Sequence, residues 1–167
     1  MTRSLSRLAF GDEKKHLELR CRIISELCLN QHIYLDEDYA SLGCTFGKDK
    51  VLPWIAVMSD CFDGEDTSDP SAVKSIFEKE TFKATKLGEY LGIWHLLAAA
   101  NVLKCSIVSF YPDKGPKKFQ ALFGRAMLPY HSSENDEIIH VMLSSSRSMT
   151  DEHRVANHIV PLVKTHK

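Results

Sequence analysis

The run Ile93-Trp-His-Leu-Leu-Ala-Ala-Ala-Asn-Val-Leu103 restricts the fold more than any other part of the chain. At helical spacing it is apolar on nearly every side, so as a helix it must be buried rather than laid on a surface. Trp94-His95 and Asn101 interrupt it, and it is too short to cross a bilayer. Gly88 and Gly92 bracket a loop before it. After it, Cys105-Ser-Ile-Val-Ser-Phe-Tyr111, ended by Pro112, reads as a β-strand.

The residues before this helix are patterned for further helices. Ser4 to Phe10 forms a short helical stretch that stops at Gly11, and Asp12 is placed to cap a second helix running to about Asn30. In that helix Leu17, Ile24, Leu27 and Cys28 share one face, opposite Glu18, Arg22 and Ser25. Tyr34 to Leu42 reads as a shorter helix ended by Gly43. The acid-rich stretch Cys61 to Ser71 reads as a solvated loop, and Asp69-Pro70 supplies an N-cap and first-turn proline for a helix to about Glu80. The residues after Tyr111 change character. Phe119 to Met127, Ile138 to Leu143 and His158 to Val163 are read as strands, with Pro161 marking the last as an edge or a bulge. Helices first and strands later, with a buried helix feeding the first strand, give an α+β layer architecture in a single domain.

Composition sets further bounds. The chain has 167 residues, 44% hydrophobic and 26% charged, enough to enclose a core. A formal net charge of -1 offers no electrostatic basis for sequence-independent nucleic-acid binding. The cysteines, Cys21, Cys28, Cys44, Cys61 and Cys105, are odd in number and irregular in spacing, and Met1 to Phe10 carries no apolar core of signal-peptide length. Both features point to free thiols in the cytoplasm or nucleus, with no membrane association.

Most motif-like segments fail on chemistry. Gly43-Cys-Thr-Phe-Gly-Lys48 has one residue too few between its glycines for a phosphate loop, and Asp49 stands where Ser or Thr would hold magnesium. No Cys-x-x-Cys or His-x-x-x-His pair provides a metal site, and the loop from Asp60 to Asp69 lacks calcium-ligand spacing. No metal and no cofactor is expected. Cys44 lies near flexible glycines, but exposure is not activation: a nucleophilic thiol needs a base or a positive neighbourhood. Cys21, Cys28 and Cys105 read as core, as does Trp94 at the head of the buried helix.

Three collinear segments carry a resemblance. They are Ser4-Leu-Ser-Arg-Leu-Ala-Phe-Gly-Asp12 with His16-Leu-Glu-Leu-Arg20; Ile93-Trp-His-Leu-Leu-Ala-Ala-Ala100 leading to Cys105-Ser-Ile-Val108; and Ile138-Ile-His-Val-Met142 followed by Asn157-His-Ile-Val-Pro-Leu-Val163. In order and spacing the chain resembles the ovarian-tumour (OTU) family of ubiquitin-directed cysteine proteases, in its vertnin-like branch. The resemblance implies helices packed on a small, mostly antiparallel sheet of the papain-like kind. It places His158 at the general-base position, where an imidazole takes the proton of a thiol that attacks an isopeptide carbonyl. In the family the thiol precedes the first helix, in an Asp-Gly-x-Cys segment. Here that helix spans Arg3 to Phe10, so the nucleophile position falls before Met1 and the domain of residues 1–167 is expected to be inactive as written. The third catalytic position has no assignment, since Asn157 is adjacent to His158 on a strand. Three roles follow: a deubiquitinase-type domain without its nucleophile, a protein-interaction module of a vertnin-like regulator or mobile-element protein, or an active hydrolase that uses a different thiol. Expected partners are ubiquitin, a ubiquitin-like protein or other proteins.

If the resemblance holds, the start of the first helix must lie against the head of the last strand, because nucleophile and base come from opposite ends of the chain. The strands at Cys105, Ile138 and His158 must then be neighbours in one sheet.

Overall fold

A computed structural model of the protein describes residues 1–45, 49–112, 117–131, 137–144 and 158–162. Helix α1 (Thr2–Phe10) ends at Gly11, whose φ of 79° lets its N–H return to the Arg7 carbonyl. Helix α2 (His16–Leu29) begins later than a cap at Asp12 would place it. Asp12 is occupied in the intervening turn: its carboxylate accepts from the Lys14 N–H and its carbonyl from the Ser6 hydroxyl. The buried stripe of α2 is Leu19, Ile23 and Leu27; of the expected face Leu27 is buried, Ile24 half-buried, and Leu17 and Cys28 exposed. Apolar residues occupy both stripes at helical spacing, and only the position of the partner helix chooses between them. Cys21 and Cys28 are consequently exposed rather than core.

The stretch expected as one helix from Tyr34 is two, α3 (Gln31–Tyr34) and α4 (Glu37–Ser41), because Asp36 between them caps α4 by accepting from the Tyr39 N–H. Helix α5 (Leu52–Val57) follows, and then the acid-rich loop. Helix α6 (Pro70–Lys83) starts on the Asp69 cap with proline in its first turn, as read from the sequence. Helix α7 (Ile93–Leu103) coincides with the apolar run.

Strand β1 (Ser106–Phe110) leads to helix α8 (Lys117–Phe123) and the two-residue strand β2 (Ala126–Met127), where a single strand from Phe119 was expected. Phe119, Leu122 and Phe123 are spaced for a helix: Leu122 and Phe123 are buried, and the Phe119 ring stacks on Phe123 at 6.4 Å. Gly124 then closes the turn, its N–H on the Gln120 carbonyl. Strands β3 (Ile138–Ser144) and β4 (His158–Pro161) complete the sheet, in the order β2-β1-β3-β4. β1 and β3 are parallel, and the outer pairings are antiparallel. β4 lies on the edge, which accommodates Pro161. Val163 falls outside the described residues. The protein is therefore α+β, with helices on a small, mostly antiparallel sheet.

Every residue of α7 from Ile93 to Ala100 is buried. Leu19, Ile23 and Leu27 of α2 belong to the same core cluster, as do Ile107, Ile139, Val141 and Leu143 of the sheet. Trp94 packs edge-on against Phe77 at 5.2 Å, and its indole N–H reaches the Tyr34 carbonyl at 3.2 Å, confirming it as core.

Two polar devices tie the layers together. Asn101, the polar break in α7, donates to the hydroxyls of Tyr34 (2.9 Å) and Tyr39 (2.7 Å) and accepts from the Tyr130 N–H at 2.7 Å. Tyr34 in turn donates to Glu26 at 2.8 Å, and Tyr39 to the Leu128 carbonyl at 3.0 Å. Burial is the main reason both phenols resist ionisation. Tyr34 is pushed well above its ordinary value, with Glu26 adding to the shift, and Tyr39 is pushed up to about 12. The second device is Arg125, only 4% exposed, whose guanidinium donates to the carbonyls of Ala40, Leu42 and Leu122. It joins α4, α8 and β2 at the point where Gly43 (φ 71°) passes so close to the Ala126 carbonyl that a Cβ would stand 2.6 Å from it. Removing Arg125 leaves three carbonyls short of a charge-assisted donor. Arg125→Met should lower unfolding stability by about 3 kcal/mol or more, read as a shift in the urea midpoint. A change under about 1 kcal/mol would show that those carbonyls find other donors.

Candidate functional site

The first turn of α1 is anchored from both sides. Leu5 and Ser6 are fully buried, and the Ser4 hydroxyl donates to the carbonyl of Ile159 on β4 at 2.7 Å. Opposite ends of the chain thus meet as the family resemblance implies. His158 heads β4, paired in register with Ser144, one residue from the carbonyl that Ser4 holds. β1, β3 and β4 are consecutive neighbours in one sheet. Asn157 lies outside the described residues.

A cleft of about 540 Å³ opens at this junction. Its walls include Met1 and Thr2 from the start of α1, Ser59 and Asp60 after α5, Glu80 and Lys83 from α6, the loop Gly88 to Gly92, and Ile159. Arg20 of α2 builds one wall by clamping the backbone beyond α6. Its guanidinium donates to the carbonyls of Ala84 (2.9 Å), Lys86 (2.8 Å) and Glu89 (3.3 Å). The Leu-Glu-Leu-Arg20 segment therefore shapes the cleft without pointing a reactive group into it. Lys83 spans the rim, 3.5 Å from Glu89 and 4.0 Å from Asp60, so those two carboxylates share one compensating cation.

Glu80 is the unusual member of the wall. It is 6% exposed, and its Oε1 stands 3.2 Å from Nδ1 of the fully buried His95. The Gly92 N–H lies at the same 3.2 Å from that nitrogen. Nδ1 takes one of two roles, accepting from the Gly92 N–H or, when protonated, donating to Glu80 Oε1, and Nε2 is buried without a partner among the described residues. When Nδ1 accepts from Gly92, Glu80 Oε1 is left without a donor among the described residues. A buried carboxylate oxygen without a donor at the wall of a cleft is a costly arrangement unless something supplies one. Gly92 makes it sterically feasible, since a Cβ there would stand 2.6 Å from Glu80 Oε1.

The thiols are placed differently. Cys105 is buried at the entrance to β1, and Cys44 sits beside α8, its Sγ donating to the Ala121 carbonyl at 3.3 Å. Cys61 follows the cleft residues Ser59 and Asp60. Burial pushes its thiol above the usual value, and the nearby Glu80 charge adds to this. No cysteine lines the cleft among the described residues, and no group of three or more His, Cys, Asp or Glu among them could hold a metal. No helix of the described residues is long and apolar enough to cross a membrane.

Sequence reading singled out His158, Trp94 and Cys44. Ile159, next to His158 at the head of β4, lines the cleft, whereas Trp94 and His95 are buried and Cys44 lies beside α8. Glu80 and Gly92 were not recognised as a pair, because the contact between them is set by tertiary packing and leaves no motif.

The sequence model of the family described as "Vertnin, OTU domain" matches residues 1–144. Vertnin of Homo sapiens is 30% identical over 140 residues, which is 82% of this chain and 19% of that protein. Vertnin of Ailuropoda melanoleuca is 31% identical over 138 residues, covering 81% of this chain and 18% of the relative. For Danio rerio vertnin the values are 28% over 146 residues, 83% and 20%. The chain thus spans about a fifth of the length of the curated relatives it matches. No solved structure matches it.

The Glu80–Gly92 contact can be tested by coupling. Gly92→Ala should destabilise the fold by roughly 1–3 kcal/mol, since the backbone there is extended and the cost is one of overpacking. In a Glu80→Ala background that cost should fall by at least ~0.5 kcal/mol. Additive effects in the double-mutant cycle would mean that the carboxylate does not press on Gly92.

Proposed function

The chain belongs to the vertnin OTU-domain family, and on that premise we propose that it is a protein-binding module that uses the α1–β4 cleft without cysteine-dependent hydrolysis. The observation carrying this reading is that no cysteine lines the cleft among the described residues. An attacking cysteine must be available as thiolate, favoured by a positive neighbour or a base. Cys61 is pushed the other way, by burial and by Glu80. The remaining thiols stand on the exposed face of α2, beside α8 or inside the core. Scaffold resemblance makes ubiquitin or a ubiquitin-like protein the first partner to test.

A ubiquitin probe bearing a C-terminal electrophile should leave all five cysteines unmodified in intact-mass measurement after prolonged incubation. Site-specific labelling of Cys61 or Cys44 would overturn the non-hydrolytic reading. Titration with ubiquitin, followed by amide NMR shifts, should perturb the loop from Gly88 to Gly92 and the start of α1. Shifts confined to other faces would remove the cleft as the binding site.

The position of His158 gives a second, constructive test. Prefixing an Asp-Gly-Asn-Cys segment to Met1 should bring a thiol to the head of β4 and create hydrolysis of a ubiquitin-conjugate substrate. His158→Ala in that extended protein should abolish it. Hydrolysis that survives the alanine would show that His158 does not occupy the base position.

A further inference from the structure

The sheet has two apolar faces and, among the described residues, a cover for one. Ile107 on β1 and Ile139, Val141 and Leu143 on β3 point inward and are buried, while β3 alternates strictly between exposed and buried positions. In a sheet with one solvated face the alternate residues are normally polar. Here the outward positions Phe110, Ile138, Met142, Val160 and Leu162 are apolar, 48%, 55%, 39%, 37% and 37% exposed respectively. The register makes them contiguous: Phe110 pairs with Met142 across β1 and β3, and Met142 with Val160 across β3 and β4. His140 completes the patch, its ring stacked on Phe110 at 6.0 Å.

We infer that this outer face is a self-association surface, on which two copies of the chain pack sheet against sheet. Two arguments select a second copy. The first is area: side chains of this size present roughly 150–200 Å² each when free, so these exposures leave on the order of 400 Å² of contiguous apolar surface. A stable interface takes about 800 Å² from each partner, a little over half of it apolar, which is what the patch and its rim supply. The second is charge. The outward positions Ser106, Val108, Phe110, Ile138, His140, Met142 and Ser144 include no Asp, Glu, Lys or Arg. Placing the patch against its own copy in a two-fold contact therefore opposes no like charges, the usual obstacle to an isologous interface. Edge-to-edge pairing is the less suitable route, since β2 is two residues long and β4 carries Pro161. Two-fold packing of aligned sheets brings the Met142 rows together about 10 Å apart, with Phe110 and Val160 on either side.

The inference is independent of the proposed role of the cleft, which opens elsewhere. Its test is the mass of the folded chain in solution across the micromolar range, by light scattering or sedimentation equilibrium. The expected result is a monomer–dimer equilibrium. Met142→Lys, which places a charge on the outer face without touching the core, should raise the dissociation constant about tenfold or more with an unchanged circular dichroism spectrum. Should that variant fold poorly, Ile138→Lys at the more exposed end of β3 serves the same purpose. A wild-type chain that is folded and monomeric throughout the range overturns the inference. So does a dimer whose dissociation constant neither lysine changes.

Discussion

A helix with no polar face cannot lie on a surface, and the rest of this protein is arranged around satisfying α7. Each residue from Ile93 to Ala100 is removed from water. A helix can be enclosed only if its neighbours approach from several directions, so α2 packs along it while β1 and β3 contribute inward rows to the same core. The alanines at 98, 99 and 100 allow close approach, and Trp94 fills the wider gap toward Phe77. Burial on this scale removes α7 from any contest of helix propensities; its conformation is settled by what surrounds it. The same enclosure explains why Asn101 matters. Near the end of the helix, where the cover thins, it converts a potential polar defect into a hub for Tyr34, Tyr39 and the backbone of Tyr130.

That dependence accounts for which features could be read from residues alone. The helix α7, the Asp69-Pro70 start of α6, the glycine stop after α1 and the edge character of the Pro161 strand are local in cause, and each is visible in a few consecutive residues. The errors have two origins. Choosing the wrong stripe of α2, and with it treating Cys21 and Cys28 as core, came from spacing that permits two faces. Only the position of α7 decides between them. Reading Phe119 to Met127 as a strand followed β-forming residue types and missed the helical spacing of Phe119, Leu122 and Phe123. The aromatic stack with Tyr111 (5.8 Å to Phe123) rewards the helix. Of the cleft, the meeting of α1 with β4 followed from the family resemblance, whereas the Glu80–Gly92–His95 arrangement did not. It joins the interior of α6 to the entry of α7, and nothing in either segment announces the other.

The cleft also follows from how the core is closed. Helix α7 needs a loop to enter the core, and that loop, Gly88 to Gly92, passes over the end of α6. Arg20 reaches across from α2 to hold the preceding backbone by three carbonyls. Because α2 packs on α7 along one stripe, the position of Arg20 is fixed by the same contacts that bury the core. The open side is left to α1, whose first turn is tied to β4 through Ser4. Strength and opening therefore come from different elements: the wall is clamped by α2, and the mouth is formed by the two ends of the chain.

This division bears on what such a site can do. A hydrolytic cleft needs its nucleophile and base held within hydrogen-bond reach by rigid elements, because small misplacements are costly in rate. Here the rigid part of the wall carries a carboxylate and a histidine that are buried beside one another, with the Gly92 N–H also beside the imidazole nitrogen nearest Glu80. That histidine cannot serve as a base toward the cleft, since it is fully enclosed. Glu80 lines the cavity with its Oε1 enclosed, and no cysteine among the described residues lines the same wall. The rigid part of the wall therefore contributes a buried carboxylate–imidazole contact rather than a thiol–imidazole pair among the described residues.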